Sequence, residues 1–178
     1  MKSILRTVLV SATIALTGFT AVTYTSCTED KCKAIVCAYG GTCNDGVCTC
    51  PSGYEGPQCE TINRERFRGI WQVNEDGTLS NAAQYAVSVD PGADITHVQI
   101  TNFRNYLTAN VVAHVKGDTL TIDAQAVNGN TVEGYAVLSD DVYYGDHGRL
   151  TVYYYIQDAN GTIDRFGFGG GAPSKWNK

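Results

Sequence analysis

Seven cysteines fall between Cys27 and Cys59, and none follow in the remaining two thirds of the chain. About 30 residues cannot bury a core large enough to offset their chain entropy, so such a segment needs cross-links or a metal. Structural zinc sites usually combine Cys-x-x-Cys pairs with histidine. Here there is no Cys-x-x-Cys, and the first histidine is His97. Lys2 and Arg6 precede an apolar stretch over residues 7–23. That order of charge and hydropathy is the plan of a secretory signal. The stretch is rich in threonine and falls short of the ~20 strongly apolar residues a membrane span needs. An oxidising compartment and a disulfide framework follow. Because seven is odd, one cysteine must have a separate fate. Cys27 stands apart from the regular spacing and next to the expected cleavage boundary.

Tyr24-Thr25-Ser26-Cys27 resembles the relaxed lipobox of bacterial lipoproteins, with Tyr24 where leucine is usual. The resemblance implies that residues 1–26 are a lipoprotein signal peptide and that Cys27 heads the mature chain as its lipid attachment site. Residues 27–31 then form a lipidated N-terminal linker. Thr28-Glu29-Asp30-Lys31 is similar to the acidic export signal of surface lipoproteins in the Bacteroidota. A cell-envelope location, anchored in the outer membrane and surface-exposed, is therefore expected. Two or three acyl chains, at about 0.8 kcal/mol per buried methylene, hold such a protein firmly.

The other six cysteines, Cys32, Cys37, Cys43, Cys48, Cys50 and Cys59, are spaced C-x4-C-x5-C-x4-C-x-C-x8-C. Six cysteines allow fifteen pairings, and spacing alone does not choose among them. The pattern, with Gly40-Gly41-Thr42-Cys43 and the run from Cys48 through Pro51-Ser52-Gly53-Tyr54-Glu55-Gly56, resembles an EGF-like domain over residues 32–60. That resemblance implies Cys32–Cys43, Cys37–Cys48 and Cys50–Cys59. Asn44-Asp45-Gly46-Val47 reads as a tight hairpin turn, and the Tyr54 ring is expected to cover the last disulfide. Calcium-binding modules of this family carry an acidic set before the first cysteine. Here Lys31 takes a ligand-like place and only four residues separate Cys43 from Cys48. A hard cation needs six or more oxygens, so no metal and no cofactor is expected.

After Cys59 the composition changes to Val, Ile, Thr and Tyr. Turn signals separate short strands expected at 67–74, 83–90, 95–102, 109–115, 119–124, 131–138, 149–157 and 162–168. Apolar residues alternate along them: Tyr85, Val87 and Val89; Val98 and Ile100; Val111, Ala113 and Val115; Leu120 and Ile122; Val152, Tyr154 and Ile156. The fold class is all-β: a small disulfide-rich module, then an antiparallel up-and-down barrel or sandwich of about eight strands over 64–170, and a tail at 171–178. Phe67-Arg68-Gly69-Ile70-Trp71 resembles the Gly-x-Trp motif of lipocalins and related calycin barrels. The resemblance implies a barrel-closing set of Gly69, Trp71 and Arg165, with the Arg165 cation over the Trp71 ring.

The formal charge of −5 falls to about −7 once Lys2 and Arg6 are removed, which leaves nothing basic for nucleic acid. His97 and His114 are placed on exposed strand faces, and His147 in a turn. No Ser/His/Asp set or spaced His pair points to catalysis, so no catalytic residue is assigned. The expected partners are a membrane, through the N-terminal lipid, and an extracellular protein or glycan. The expected role is a non-enzymatic binding or adhesion module. The alternative is a lipocalin-like carrier of a small apolar ligand, which requires a cavity of about 300 Å³ or more.

Overall fold

The computed structural model describes residues 30–139 and 148–178. The signal segment, Cys27, and residues 140–147 with Tyr143, Tyr144 and His147 lie outside the described residues.

Two short strands, β1 (Thr42–Asn44) and β2 (Val47–Thr49), form the hairpin of the disulfide module. Asp45 and Gly46 both have positive φ (49° and 88°), the geometry that a two-residue turn needs to match strand twist. The disulfides are Cys32–Cys43, Cys37–Cys48 and Cys50–Cys59, the pairs that the EGF-like resemblance implies. A second, smaller hairpin joins β3 (Tyr54–Glu55) to β4 (Thr61–Ile62). The Tyr54 ring stacks on Tyr39 at 4.3 Å.

The remaining strands are β5 (Gly69–Glu75), β6 (Ala83–Pro91), β7 (His97–Thr101), β8 (Val111–Lys116), β9 (Thr119–Val127), β10 (Asn130–Ser139), β11 (Arg149–Gln157), β12 (Ile163–Phe166) and β13 (Ser174–Asn177). Consecutive strands β5 to β11 pair antiparallel as a meander, and β13 pairs with both β11 and β5. The ring β5-β6-β7-β8-β9-β10-β11-β13 is a closed eight-stranded antiparallel barrel. Closure leaves every ring strand with two neighbours and removes free edges.

The eighth strand of the ring is not the one expected. Residues 162–168 do yield β12, but it pairs only with the end of β11, from Tyr155↔Arg165 to Gln157↔Ile163. The chain then steps along the same edge of β11 through Gly167, Gly169, Gly170 and Gly171, all at positive φ. It lays β13 against the other end, from Val152↔Ser174 to Arg149↔Asn177. Residues 171–178 are therefore not a tail, since they hold the strand that closes the barrel. Only glycine takes such a run of left-handed conformations without steric cost.

The interior follows the alternation read from the sequence. Trp71, Val73, Tyr85, Val87, Val98, Ile100, Val111, Leu120, Ile122, Val152, Tyr154 and Trp176 are all buried in one cluster. Gly134 of β10 faces the same way: a Cβ there would lie 2.5 Å from the Tyr154 Cβ, so glycine makes room for that ring. Phe103, on a one-turn 3-10 segment (Phe103–Asn105) between β7 and β8, closes one end of the barrel. It meets Tyr154 and Trp176 edge to face at 4.8 and 6.0 Å.

The module and the barrel touch directly. The Asn63 N–H donates to the Gly53 carbonyl at 3.0 Å. Arg66 pairs with Glu55 of the module (3.5 Å) and with Asp118 in the β8–β9 turn (2.5 Å). No helix among the described residues is long and apolar enough to cross a membrane.

Candidate functional site

One polar residue dominates the barrel interior. Glu75 ends β5, where the i, i+2 series Trp71, Val73, Glu75 turns its side chain inward. Its carboxylate is fully buried. Oε1 accepts from the Tyr85 hydroxyl (2.7 Å) and from Arg104 Nη1 (2.6 Å). Oε2 accepts from the Tyr154 hydroxyl (2.7 Å) and from Ser174 Oγ (2.8 Å). Ser174 Oγ in turn accepts from Trp176 Nε1 at 2.9 Å. A carboxylate has about four acceptor positions, and here four donors fill them.

Arg104 supplies the compensating charge. Its guanidinium lies 4.5 Å from the centre of the Phe166 ring and 5.9 Å from that of Tyr106, and 3.5 Å from the Asp164 carboxylate. Asn102, Arg104 and Asn105 all have positive φ (63°, 60° and 56°). Asparagine tolerates that region, while arginine does so rarely. The buried ion pair holds Arg104 there, because an unpaired buried carboxylate costs several kcal/mol. Burial and the adjacent Glu75 charge push the Tyr85 and Tyr154 phenols well above the ordinary tyrosine range. The network is saturated: its hydroxyls stay protonated and its carboxylate is fully engaged, so it locks strands together rather than offering a free base or nucleophile.

Two open clefts flank Tyr106 at this end of the barrel. One, of about 220 Å³, is lined by Leu79, Ser80, Asn130, Ile156, Asp158 and Asp164 among others. The other, of about 320 Å³, lies along Thr101–Thr108. Both are surface features outside the packed interior. Tyr85, Val87, Val111, Leu120 and Tyr154, the residues expected to fill the barrel, all point into its core.

The outer wall of β10 and β11 carries a different arrangement. Tyr135 and Tyr153 are cross-strand partners, stacked at 4.9 Å with planes 16° apart. Phe168, beyond β12, packs against Tyr135 at 6.1 Å and Tyr155 at 5.6 Å. The Tyr155 hydroxyl donates to Glu133 at 2.7 Å. Tyr135 and Val137 remain exposed on this wall. The strip thus combines ring faces, hydroxyl tips and one carboxylate.

The barrel-closing set needs correction. Trp71 is buried, and its indole N–H donates to the Phe67 carbonyl at 2.7 Å. The cation over its ring is the Lys178 ammonium, at 4.9 Å. Gly69 lies under that side chain, where a Cβ would sit 2.9 Å from Lys178 Cε. Arg165 is at the other end of β5: its backbone exchanges hydrogen bonds with Thr78, and its guanidinium donates to the Phe168 carbonyl. The cause is the glycine step. It leaves β12 outside the ring and carries Lys178, at the end of β13, to Trp71.

The strand expected at 67–74 stops one residue short of Glu75, although the alternation with Trp71 and Val73 continues to it. Nothing in the sequence marks Arg104. His97 and His114, read as separate exposed residues, come together as a cross-strand pair. The chain matches no protein-family model.

Proposed function

We propose that this chain is an exported, lipid-anchored cell-envelope protein that works as a non-enzymatic binding or adhesion module. Acyl chains on Cys27 hold it to the outer membrane, with the protein facing outward, and its partner is an extracellular protein or glycan. The observation that carries this reading is the contrast between the two faces of the barrel. The inside is packed with side chains around a saturated carboxylate, while the outside bears the strip of Tyr135, Tyr153, Tyr155 and Phe168. Tyrosine faces give contact area at low entropic cost, and their hydroxyls accept and donate hydrogen bonds. A carrier of small apolar ligands would instead need the space that Trp71, Tyr154 and Trp176 occupy. The disulfide module, pinned to the barrel through Arg66, acts as a stiff spacer between anchor and barrel.

The test uses glycan arrays and pull-downs with the full chain and with a Tyr135→Ala/Tyr153→Ala double variant. The expected result is a partner whose affinity falls about tenfold in the variant, in line with roughly 0.5–1.5 kcal/mol per aromatic contact. Wild-type protein that captures no glycan or extracellular protein would sink the proposal. Intact-mass measurement of the native chain checks the anchor separately: the expected species starts at Cys27 with acyl mass added.

A further inference from the structure

Away from the tyrosine strip, on the outer faces of β7 and β8, His97 and His114 stand directly opposite each other in the ladder. Their ring centroids are 6.3 Å apart with planes 56° to one another, and both side chains are partly exposed, at 37% and 39%. Each ring has a carboxylate at the same nitrogen. Nδ1 of His97 is 2.8 Å from Asp94 Oδ1, and Nδ1 of His114 is 3.3 Å from Asp123 Oδ2. Asp94 is itself fixed, accepting from the Thr96 N–H and hydroxyl, both at 2.7 Å.

The hydrogen bond to Asp94 draws the His97 ring proton to Nδ1 and leaves the lone pair on Nε2, and the Asp123 charge, 3.3 Å from His114 Nδ1, favours the same tautomer there. This is the arrangement in which imidazole binds metals, with the carboxylate as the orienting outer partner. Neither Nε2 has a hydrogen-bond partner among the described residues. Zinc–nitrogen bonds of about 2.0–2.1 Å bring two rings on one tetrahedral ion to centroids roughly 5 Å apart. The observed pair is about 1 Å wider, a gap that small side-chain rotations close. The strands beneath are fixed by barrel pairing on both sides, so the two rings start near the spacing that a shared ion needs.

We propose that His97 and His114 form a two-imidazole site for a divalent transition-metal ion, oriented by Asp94 and Asp123. No group of three or more His, Cys, Asp or Glu side chains converges on a metal position among the described residues. The site therefore supplies two nitrogen donors and leaves the other positions of the ion to water or to a donor atom on a bound molecule. Imidazole donors select borderline ions such as Zn²⁺ and Cu²⁺ over the hard ions Mg²⁺ and Ca²⁺. The flanking carboxylates add favourable charge without entering the coordination sphere.

ZnCl₂ titrated into the full chain, followed by calorimetry and by the imidazole proton resonances, tests this. One saturable ion per chain is expected, shifting the signals of two histidines. His97→Ala and His114→Ala should each weaken binding at least tenfold, His147→Ala should leave it unchanged, and excess MgCl₂ should not compete. Zinc affinity that survives both single variants, or that vanishes only in His147→Ala, overturns the proposal, as does failure to saturate at millimolar zinc. A measurement without any variant serves as a second check. Nitrogen-15 shifts of the metal-free protein at mildly alkaline pH should show both rings protonated at Nδ1, and protonation at Nε2 in both would also overturn it.

Discussion

In the disulfide module, Cys59 is the only buried apolar side chain among the described residues, whereas the barrel buries a continuous cluster from Phe67 to Trp176. The module leaves Val36, Tyr39 and Val47 exposed and is held by three disulfides that each span about ten residues. The barrel contains none of the six paired cysteines and instead places an ion pair in its interior. Ion pairs occur in both regions and differ in setting. Lys31–Asp45, which ties the preceding residue to the module, is 2.7 Å long and largely exposed, while Arg104–Glu75 is 2.6 Å long and enclosed. Similar geometry has opposite consequences: solvent screens the first, and the second must stay intact because Arg104 is the cation paired with Glu75 among the described residues.

The sharpest way to break this comparison is to remove one partner from each pair. Arg104→Ala should destabilise the barrel by about 3–5 kcal/mol, since it strands a buried carboxylate, whereas Lys31→Ala should be neutral in urea unfolding. Next in size, replacing Cys50 and Cys59 with serine should cost the module about 2–4 kcal/mol. Its amide resonances should lose dispersion while the near-ultraviolet circular dichroism of the barrel is retained.

A third outcome concerns pH. Tyr85 and Tyr154 have folded pKa values above their unfolded value of 10.0. The unfolded chain therefore releases these protons first, so the stability they contribute is complete below about pH 10 and is lost as pH rises beyond it. Tyrosinate absorbance should show these two residues titrating only together with loss of circular dichroism. The smallest effect sharpens the corrected barrel end. Lys178→Ala should cost about 0.5–1 kcal/mol and change the Trp71 fluorescence, and Arg165→Ala should leave that fluorescence unchanged.

Much of the architecture was legible because it rests on local chemistry. Alternating apolar residues at Tyr85, Val87 and Val89, or at Val152, Tyr154 and Ile156, leave one inward face for each strand. Asp45-Gly46 and Asn128-Gly129 permit only tight turns. What stayed hidden depends on contacts between distant segments. The pairing of β13 with β5 joins residues about a hundred positions apart, and a string of glycines before it reads locally as an ending. Glu75 fell outside the expected strand at 67–74, and its four donors come from β6, β11, β13 and the 103–105 segment, which no local window contains. The Arg165 expectation failed for the same reason: one displaced strand changes which cation reaches Trp71. The histidine pair needed the β7–β8 register before its members could be seen as neighbours.

The division of one edge of β11 between β12 and β13 has a bearing on biogenesis. Until residues 174–177 arrive, β5 and the first half of β11 have no partner between them, and an unfinished chain is an open sheet with two sticky margins. Long-range pairing of this kind is slow to form. A polypeptide built this way commits to a closed shape only when β13 has paired with both β5 and β11.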